Sequence, residues 1–144
     1  MIAVIRSFLD VAFGPAAPEL ATLGQALDEL ALVSHTTPAG APSDRNIEPP
    51  FVDQKATRAR IEARFSALGL YGVADPLELS GKPMVGDAID DIADIADEVS
   101  VIVWRWDNLG PEDACWHFHQ TYRVHWGRHL RELQSYLHAL LCHR

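Results

Sequence analysis

Six of the seven histidines of this chain fall within its last 29 residues, from Trp116 to Arg144. Imidazole is a common ligand of transition metals and can act as a general acid or base near neutral pH. Just upstream, residues 87–98 read D-A-I-D-D-I-A-D-I-A-D-E and carry six carboxylates. Such a pair of segments could hold a metal ion, or its two members could simply attract each other by charge.

Both segments have the pattern of amphipathic helices. Apolar residues recur at helical spacing over residues 87–106 and 111–141, and the short connection between them contains Gly110 and Pro111. A connection this short makes the two helices antiparallel neighbours. The sequence therefore predicts a helical hairpin with one acidic and one histidine-rich arm.

Folding this hairpin brings two aspartates level with two histidines. Asp91 and Asp94 lie on one stripe beside the apolar face of the first helix, at the height of residues 124–127. His129 is placed near the centre of the buried face of the second helix, and His125 is placed at its edge. Sets of imidazoles and carboxylates bind Zn²⁺, Mn²⁺ or Fe²⁺ in helical bundles. These four side chains are the candidate metal ligands.

The same four side chains also have a purely structural interpretation. A buried histidine commonly donates to a carboxylate, and acids facing Arg123, Arg128 and Arg131 would form ordinary interhelical ion pairs. Structural ion networks of this kind resemble functional sites. We therefore rank structural pairing first, expect no cofactor, and keep a divalent metal ion as the alternative.

The rest of the chain predicts three further helices, at about residues 2–13, 18–33 and 52–68. Residues 34–50 and 69–86 read as irregular connections that pack on the bundle, and no strand-like alternation is evident. The expected fold is all-α: a single domain over residues 1–144, a bundle of four or five helices with a long, central C-terminal helix.

Composition narrows the classes of protein. The chain is 48% hydrophobic and 22% charged, as expected of a globular domain, and its net charge of −8 argues against a general nucleic-acid binder. No apolar run reaches the ~20 residues of a membrane span, and charged residues interrupt the N-terminal apolar run. Cys115 and Cys142 lie on one predicted helix, roughly 40 Å apart, so they cannot bridge. We expect a cytoplasmic protein with two free thiols.

The second half of the chain resembles a family of small bacterial proteins defined by a domain of unknown function. Three signatures carry the resemblance: a Tyr-x-x-x-Asp-Pro turn at residues 71–76, an Asp-Asp-x-Ala-Asp-Ile helix at residues 90–95, and a helix with Trp116 followed by His-Trp-Gly-x-His-Leu at residues 125–130. The resemblance implies an all-helical fold. It implies no activity, substrate or catalytic residue.

Two functions of different classes remain open. The first is a non-enzymatic helical module that binds an unidentified protein or small-molecule ligand, and that could form a homo-oligomer. The alternative is a metal-dependent hydrolase with a His/Asp site in the hairpin. Its nearest analogy is the all-α nucleotide pyrophosphatases, whose helices bind Mg²⁺ through carboxylates spaced three apart. We rank the module first, because a second acidic helix is missing from the sequence.

Overall fold

A computed structural model describes residues 1–143, and most of them are helical. The elements, in chain order, are α1 (Ile2–Phe13), α2 (Leu20–Thr36), α3 (Gln54–Arg64), β1 (Leu70–Val73), β2 (Met84–Asp87), α4 (Ala88–Asn108), α5 (Pro111–Thr121), a π-helical segment (Tyr122–Trp126) and α6 (Gly127–Cys142). The last three form one long continuous helix. The predicted all-α bundle with a long C-terminal helix is therefore confirmed. No helix within residues 1–143 combines the length and apolar character needed to cross a membrane.

Local sequence signals explain where the hairpin helices begin and turn. Asp87 caps α4, where its Oδ1 accepts hydrogen bonds from the backbone N–H groups of Ile89 (3.0 Å) and Asp90 (3.4 Å). Gly110 has a φ of 100°, which residues with a Cβ rarely adopt, and it allows the chain to reverse direction between α4 and α5. Pro111 then opens α5 at a position where its missing N–H costs nothing.

The core lies around α4, which packs against α1, α3, α5 and α6. The sequence predicted the C-terminal helix as the central element; that helix is the longest, but α4 is the central one. The physical reason is the width of the apolar face of α4, which buries eight apolar residues, among them Ile92, Ile95 and Ile102. Trp126 of the π segment is fully buried against this core.

The connection at residues 69–86 differs from the prediction. It forms an antiparallel β-hairpin in which Leu70 pairs with Asp87 and Val73 with Met84. Each strand has only four residues, and of the eight only Val73 is buried. Strands this short and this exposed show no apolar alternation, which is why the sequence pattern did not reveal them.

Candidate metal centre

Asp91 connects the β-hairpin to the C-terminal helix. Its side chain is buried on the α6 side of α4, and its Oδ1 lies 2.6 Å from Nδ1 of His129. Its Oδ2 accepts a hydrogen bond from the hydroxyl of Tyr71, which reaches down from β1. Gly86 makes room for this reach, because a Cβ there would meet the Tyr71 ring at 2.6 Å. The buried carboxylate is thus held by two donors from two different elements.

His125 is held in the same manner one turn earlier. Its Nδ1 lies 2.9 Å from Oε1 of Glu98, one α-helical turn beyond Asp94 on α4. A carboxylate oxygen can only accept a hydrogen bond. The Nδ1 atoms of His125 and His129 are therefore protonated and act as the donors in these two contacts. In the neutral ring, Nε2 is then the atom with a free lone pair.

Both Nε2 atoms face a third carboxylate, that of Asp94. Oδ2 of Asp94 lies 3.6 Å from Nε2 of His129 and 3.9 Å from Nε2 of His125. One ligand atom from each of the three residues can be chosen so that all lie within 4.8 Å of one another. We call Asp94, His125 and His129 the metal cluster. Within residues 1–143, no hydrogen bond reaches the Asp94 carboxylate.

The π segment fixes the relation between the two histidines. His125 lies inside it and His129 lies in the first turn of α6, with the two rings edge to face at 5.0 Å between centroids. The segment is anchored by Trp126, whose Nε1 donates to Oγ1 of Thr121 at 2.9 Å. Single π turns inside α-helices occur frequently at functional sites.

The electrostatics of the cluster follow from burial and from these hydrogen bonds. The hydrogen bond to Asp91 raises the pKa of His129, although partial burial of the ring acts in the opposite direction. Burial raises the pKa of the Asp94 carboxyl, which the two histidines only partly offset. Burial and the bond to Asp91 raise the pKa of the Tyr71 hydroxyl, which therefore stays protonated and donates.

Three further carboxylates at the N-terminal end of α4 and in its first half, those of Asp87, Asp90 and Asp97, bond to α3. Arg58 bridges Asp87 at 2.7 Å and Asp90 at 2.9 Å, and the hydroxyl of Thr57 donates to Asp97 at 2.7 Å. Burial disfavours the Asp87 anion, but the hydrogen bonds from Arg58 and from the backbone N–H groups of Ile89 and Asp90 together outweigh this and lower the pKa of Asp87. These three acids are thus engaged with Arg58 and Thr57 of α3.

The structure brings all four predicted site residues together, in two different roles. Asp94, His125 and His129 each place one potential ligand atom within 4.8 Å of the other two, whereas Asp91 lies on the Nδ1 side of His129 and orients it. Sequence reasoning missed Glu98 and Tyr71 as partners. Glu98 lies on the same stripe of α4 as Asp91, so helical spacing gave a signal for its role. Tyr71 belongs to the Tyr-x-x-x-Asp-Pro signature, but nothing in the sequence paired it with Asp91, because the β-hairpin that carries it was not predicted.

Comparison with known proteins places the chain in a family. The model of a domain of unknown function, DUF5063, matches residues 17–143. The crystal structure of protein BF1032 from Bacteroides fragilis superposes with a TM-score of 0.75 at 15% sequence identity, and the match covers 96% of this chain and 88% of that chain. This likeness shows a shared fold. No curated protein matches the chain. The predicted resemblance to a family of unknown function is confirmed, and the chain belongs to the DUF5063 family.

Proposed function

We propose that this protein binds one divalent transition-metal ion at the metal cluster. The observation that carries the proposal is the approach of two imidazole Nε2 atoms to one carboxylate oxygen, Oδ2 of Asp94, at 3.6 and 3.9 Å. Among the interpretations of the sequence, this geometry favours the divalent metal over structural pairing alone.

The distances fit ligands better than they fit hydrogen bonds. A direct N–H···O bond would bring nitrogen and oxygen to about 2.9 Å. Zinc–nitrogen and zinc–oxygen bonds are about 2.0–2.2 Å long, so two ligand atoms on one tetrahedral ion lie about 3.4 Å apart. Small side-chain rotations would bring the Nε2–Oδ2 distances of 3.6 and 3.9 Å to this value.

The surroundings of the cluster have the form that metal-binding histidines require. A ligand histidine usually donates its other ring nitrogen to a carboxylate or carbonyl, which fixes the tautomer and the ring orientation. Here Asp91 does this for His129 and Glu98 does it for His125. Pairing with Asp91 and Glu98 therefore does not compete with metal binding, because it uses the opposite edge of each ring.

The ligand set selects the type of metal. Two imidazoles and one carboxylate suit Zn²⁺, Fe²⁺ and similar ions, whereas Mg²⁺ prefers oxygen ligands alone. The three-apart carboxylates that suggested a Mg²⁺-dependent hydrolase include Asp87, Asp90 and Asp97, which are engaged by Arg58 and Thr57. The geometry supports metal binding by a helical module, and we do not propose hydrolysis.

The test is a metal-dependent shift in melting temperature. Protein purified without an affinity tag is stripped of metal and titrated with Zn²⁺ or, as a control, with Mg²⁺. Cys142→Ser serves as the background, because Sγ of Cys142 lies 3.6 Å from Nδ1 of His138 and could itself bind zinc. We expect a saturable rise in melting temperature with Zn²⁺ and none with Mg²⁺, since a ligand that binds only the folded state stabilises it by mass action.

Asp94→Asn and Asp97→Asn form the matched pair of variants. They lie on neighbouring turns of α4 and lose the same charge, but only Asp94 belongs to the cluster. The zinc response should vanish in Asp94→Asn and in His125→Ala, and should persist in Asp97→Asn. Equal responses in the two aspartate variants, or no response in the Cys142→Ser protein, would show that the cluster is a purely structural set of ion pairs.

A further inference from the structure

Three arginines of the C-terminal helix do not form the interhelical ion pairs that the sequence predicted for them. Within residues 1–143, none of Arg123, Arg128 and Arg131 pairs with a carboxylate of α4. Arg128 pairs instead with Glu132 of its own helix, at 2.6 Å between Nε and Oε1. Arg123 is exposed and, in the described chain, donates only to the side chain of Gln120, at 3.0 Å. Most donors of Arg123 are therefore free for an anion from outside the chain.

Two of these arginines border a cleft between the end of α2 and the C-terminal helix. The cleft has a volume of about 880 Å³, which is in the range of small-molecule sites. Arg123, Arg128, His35 and His119 line it, and none of the aspartates and glutamates of residues 1–143 does. The whole chain has 20 acidic residues and only 12 Lys and Arg. A lining without acids in so acidic a chain favours an anion as the occupant.

The lining also includes an accessible aromatic surface. Trp116 and Tyr122 contribute to it. Tyr122 stacks on Phe118 of the core at 6.1 Å between centroids, so its ring is fixed. Trp116 is half-buried, and within residues 1–143 its Nε1 has no hydrogen-bond partner. The indole thus offers an apolar face and an unused donor, which suits a ligand with a planar ring.

The walls of the cleft are fixed by contacts within the chain. Nε2 of His119 donates to the carbonyl of Thr37 at 2.8 Å, which joins α5 to the residue that follows α2. Gly40, with φ of 68°, packs so closely on α5 that a Cβ there would lie 2.6 Å from the backbone nitrogen of Trp116. The carbonyl of Val33 accepts from both the N–H and the hydroxyl of Thr37. The cleft is therefore preformed, and binding requires little reordering.

We propose that this cleft binds a small organic anion, a planar ring that carries a phosphate or carboxylate group. The anionic group bonds to the guanidinium of Arg123, whose planar fork suits either group, and the ring lies against Trp116. Arg128 adds less to the attraction, because Glu132 neutralises part of its charge. No residue of the metal cluster lines the cleft, so the proposal does not depend on metal binding.

Isothermal titration calorimetry with four small molecules tests the proposal. Phenyl phosphate and benzoate carry both ring and charge, phenol has the ring alone, and inorganic phosphate has the charge alone. The protein is stripped of metal, so that no anion can bind to an ion at the metal cluster. We expect phenyl phosphate or benzoate to bind at least about tenfold tighter than phenol and inorganic phosphate, and more weakly as salt is added. The tighter of the two identifies the anionic group.

Two variants place the binding in this cleft. Arg123→Gln removes the free guanidinium, and Gln120→Glu puts an acid beside it with almost no change of shape. Both should weaken the binding of the ring anion at least about tenfold. Arg6→Gln is the control, because it removes the same charge from an exposed ion pair of α1 and should leave the affinity unchanged.

Three results would overturn the proposal. The first is a parent protein that binds neither phenyl phosphate nor benzoate. The second is equal affinity for the ring anion and for phenol or inorganic phosphate, since either the charge or the ring would then contribute nothing. The third is binding that both Arg123→Gln and Gln120→Glu leave unchanged, with melting temperatures close to that of the parent protein.

Discussion

At the scale of single residues, Asp91 determines how the candidate site is organised. Its side chain is 7% exposed, and a buried charge is tolerated only when donors satisfy it. The hydroxyl of Tyr71 satisfies one oxygen and Nδ1 of His129 satisfies the other. Asp91 therefore holds the β-hairpin and α6 in fixed positions relative to α4. It also turns Nε2 of His129 toward Asp94.

Asp91→Asn separates orientation from ligation. We expect zinc affinity to fall by roughly 10–100-fold, which is typical when the carboxylate behind a ligand histidine is altered. Asp94→Asn should instead remove measurable binding, because it deletes a ligand. Isothermal titration calorimetry on metal-free protein in the Cys142→Ser background distinguishes the two outcomes. If Asp91→Asn abolished binding while Asp94→Asn only weakened it, the assigned roles of the two aspartates would be reversed.

At the scale of elements, the π segment is a local departure from regular helix that Gly127 permits. A Cβ at Gly127 would lie 2.3 Å from the carbonyl oxygen of Tyr122, five residues earlier, and 3.1 Å from its ring. That oxygen is brought close by the wider π turn. Gly127 therefore allows the segment that sets the relative positions of His125 and His129.

Gly127→Ala should destabilise the protein, although alanine is the better helix former. Relief of the clash requires a shift of the π turn, at a cost of about 1–3 kcal/mol. Gly24→Ala is the control within α2, where a Cβ meets only Cδ1 of Leu141 at 3.9 Å. It should be stabilising by about 0.5–1 kcal/mol. Urea denaturation measures both free energies of unfolding. A stabilised Gly127→Ala variant would show that the helix does not need the π turn.

The sequence predicts helices better than it predicts the parts between them. The apolar spacing of α4 and of the C-terminal helix, with Gly110 and Pro111 between them, specifies the hairpin and hence the meeting of Asp91 with His129. A periodic pattern carries no sign of the π turn, which depends on one close contact at Gly127. Nor does it show the strand that brings Tyr71 to Asp91, because that contact is made through tertiary packing.

At the scale of the whole molecule, Asp113 joins the long α2–α3 connection to the helical hairpin of α4 and α5. Its Oδ2 accepts the backbone N–H of Ser43 at 2.8 Å, and its Oδ1 pairs with Arg105 at 2.8 Å. The N–H of Ala41 also donates to the carbonyl of Glu112 at 3.1 Å. A connection that could have been mobile is thereby fixed across the turn between α4 and α5. Asp113 itself is buried, so its charge depends on these partners.

Asp113→Ala should therefore act on the fold as a whole. The substitution leaves the largely buried Arg105 guanidinium without its carboxylate, and it frees the α2–α3 connection. Removal of one member of a buried ion pair lowers the free energy of unfolding by about 3 kcal/mol or more. Asp107→Ala is the control, since Asp107 pairs with Arg6 at 2.9 Å with both side chains about half exposed. Such exposed pairs contribute less than about 1 kcal/mol to stability.

Urea denaturation measures the loss of unfolding free energy in each variant, and limited proteolysis measures how readily the α2–α3 connection is cleaved. We expect faster cleavage within residues 38–53 in Asp113→Ala alone. Similar losses in the two variants, with no change in cleavage, would show that the connection is held by its other contacts and that the Asp113–Arg105 pair stabilises the fold no more than an exposed ion pair does.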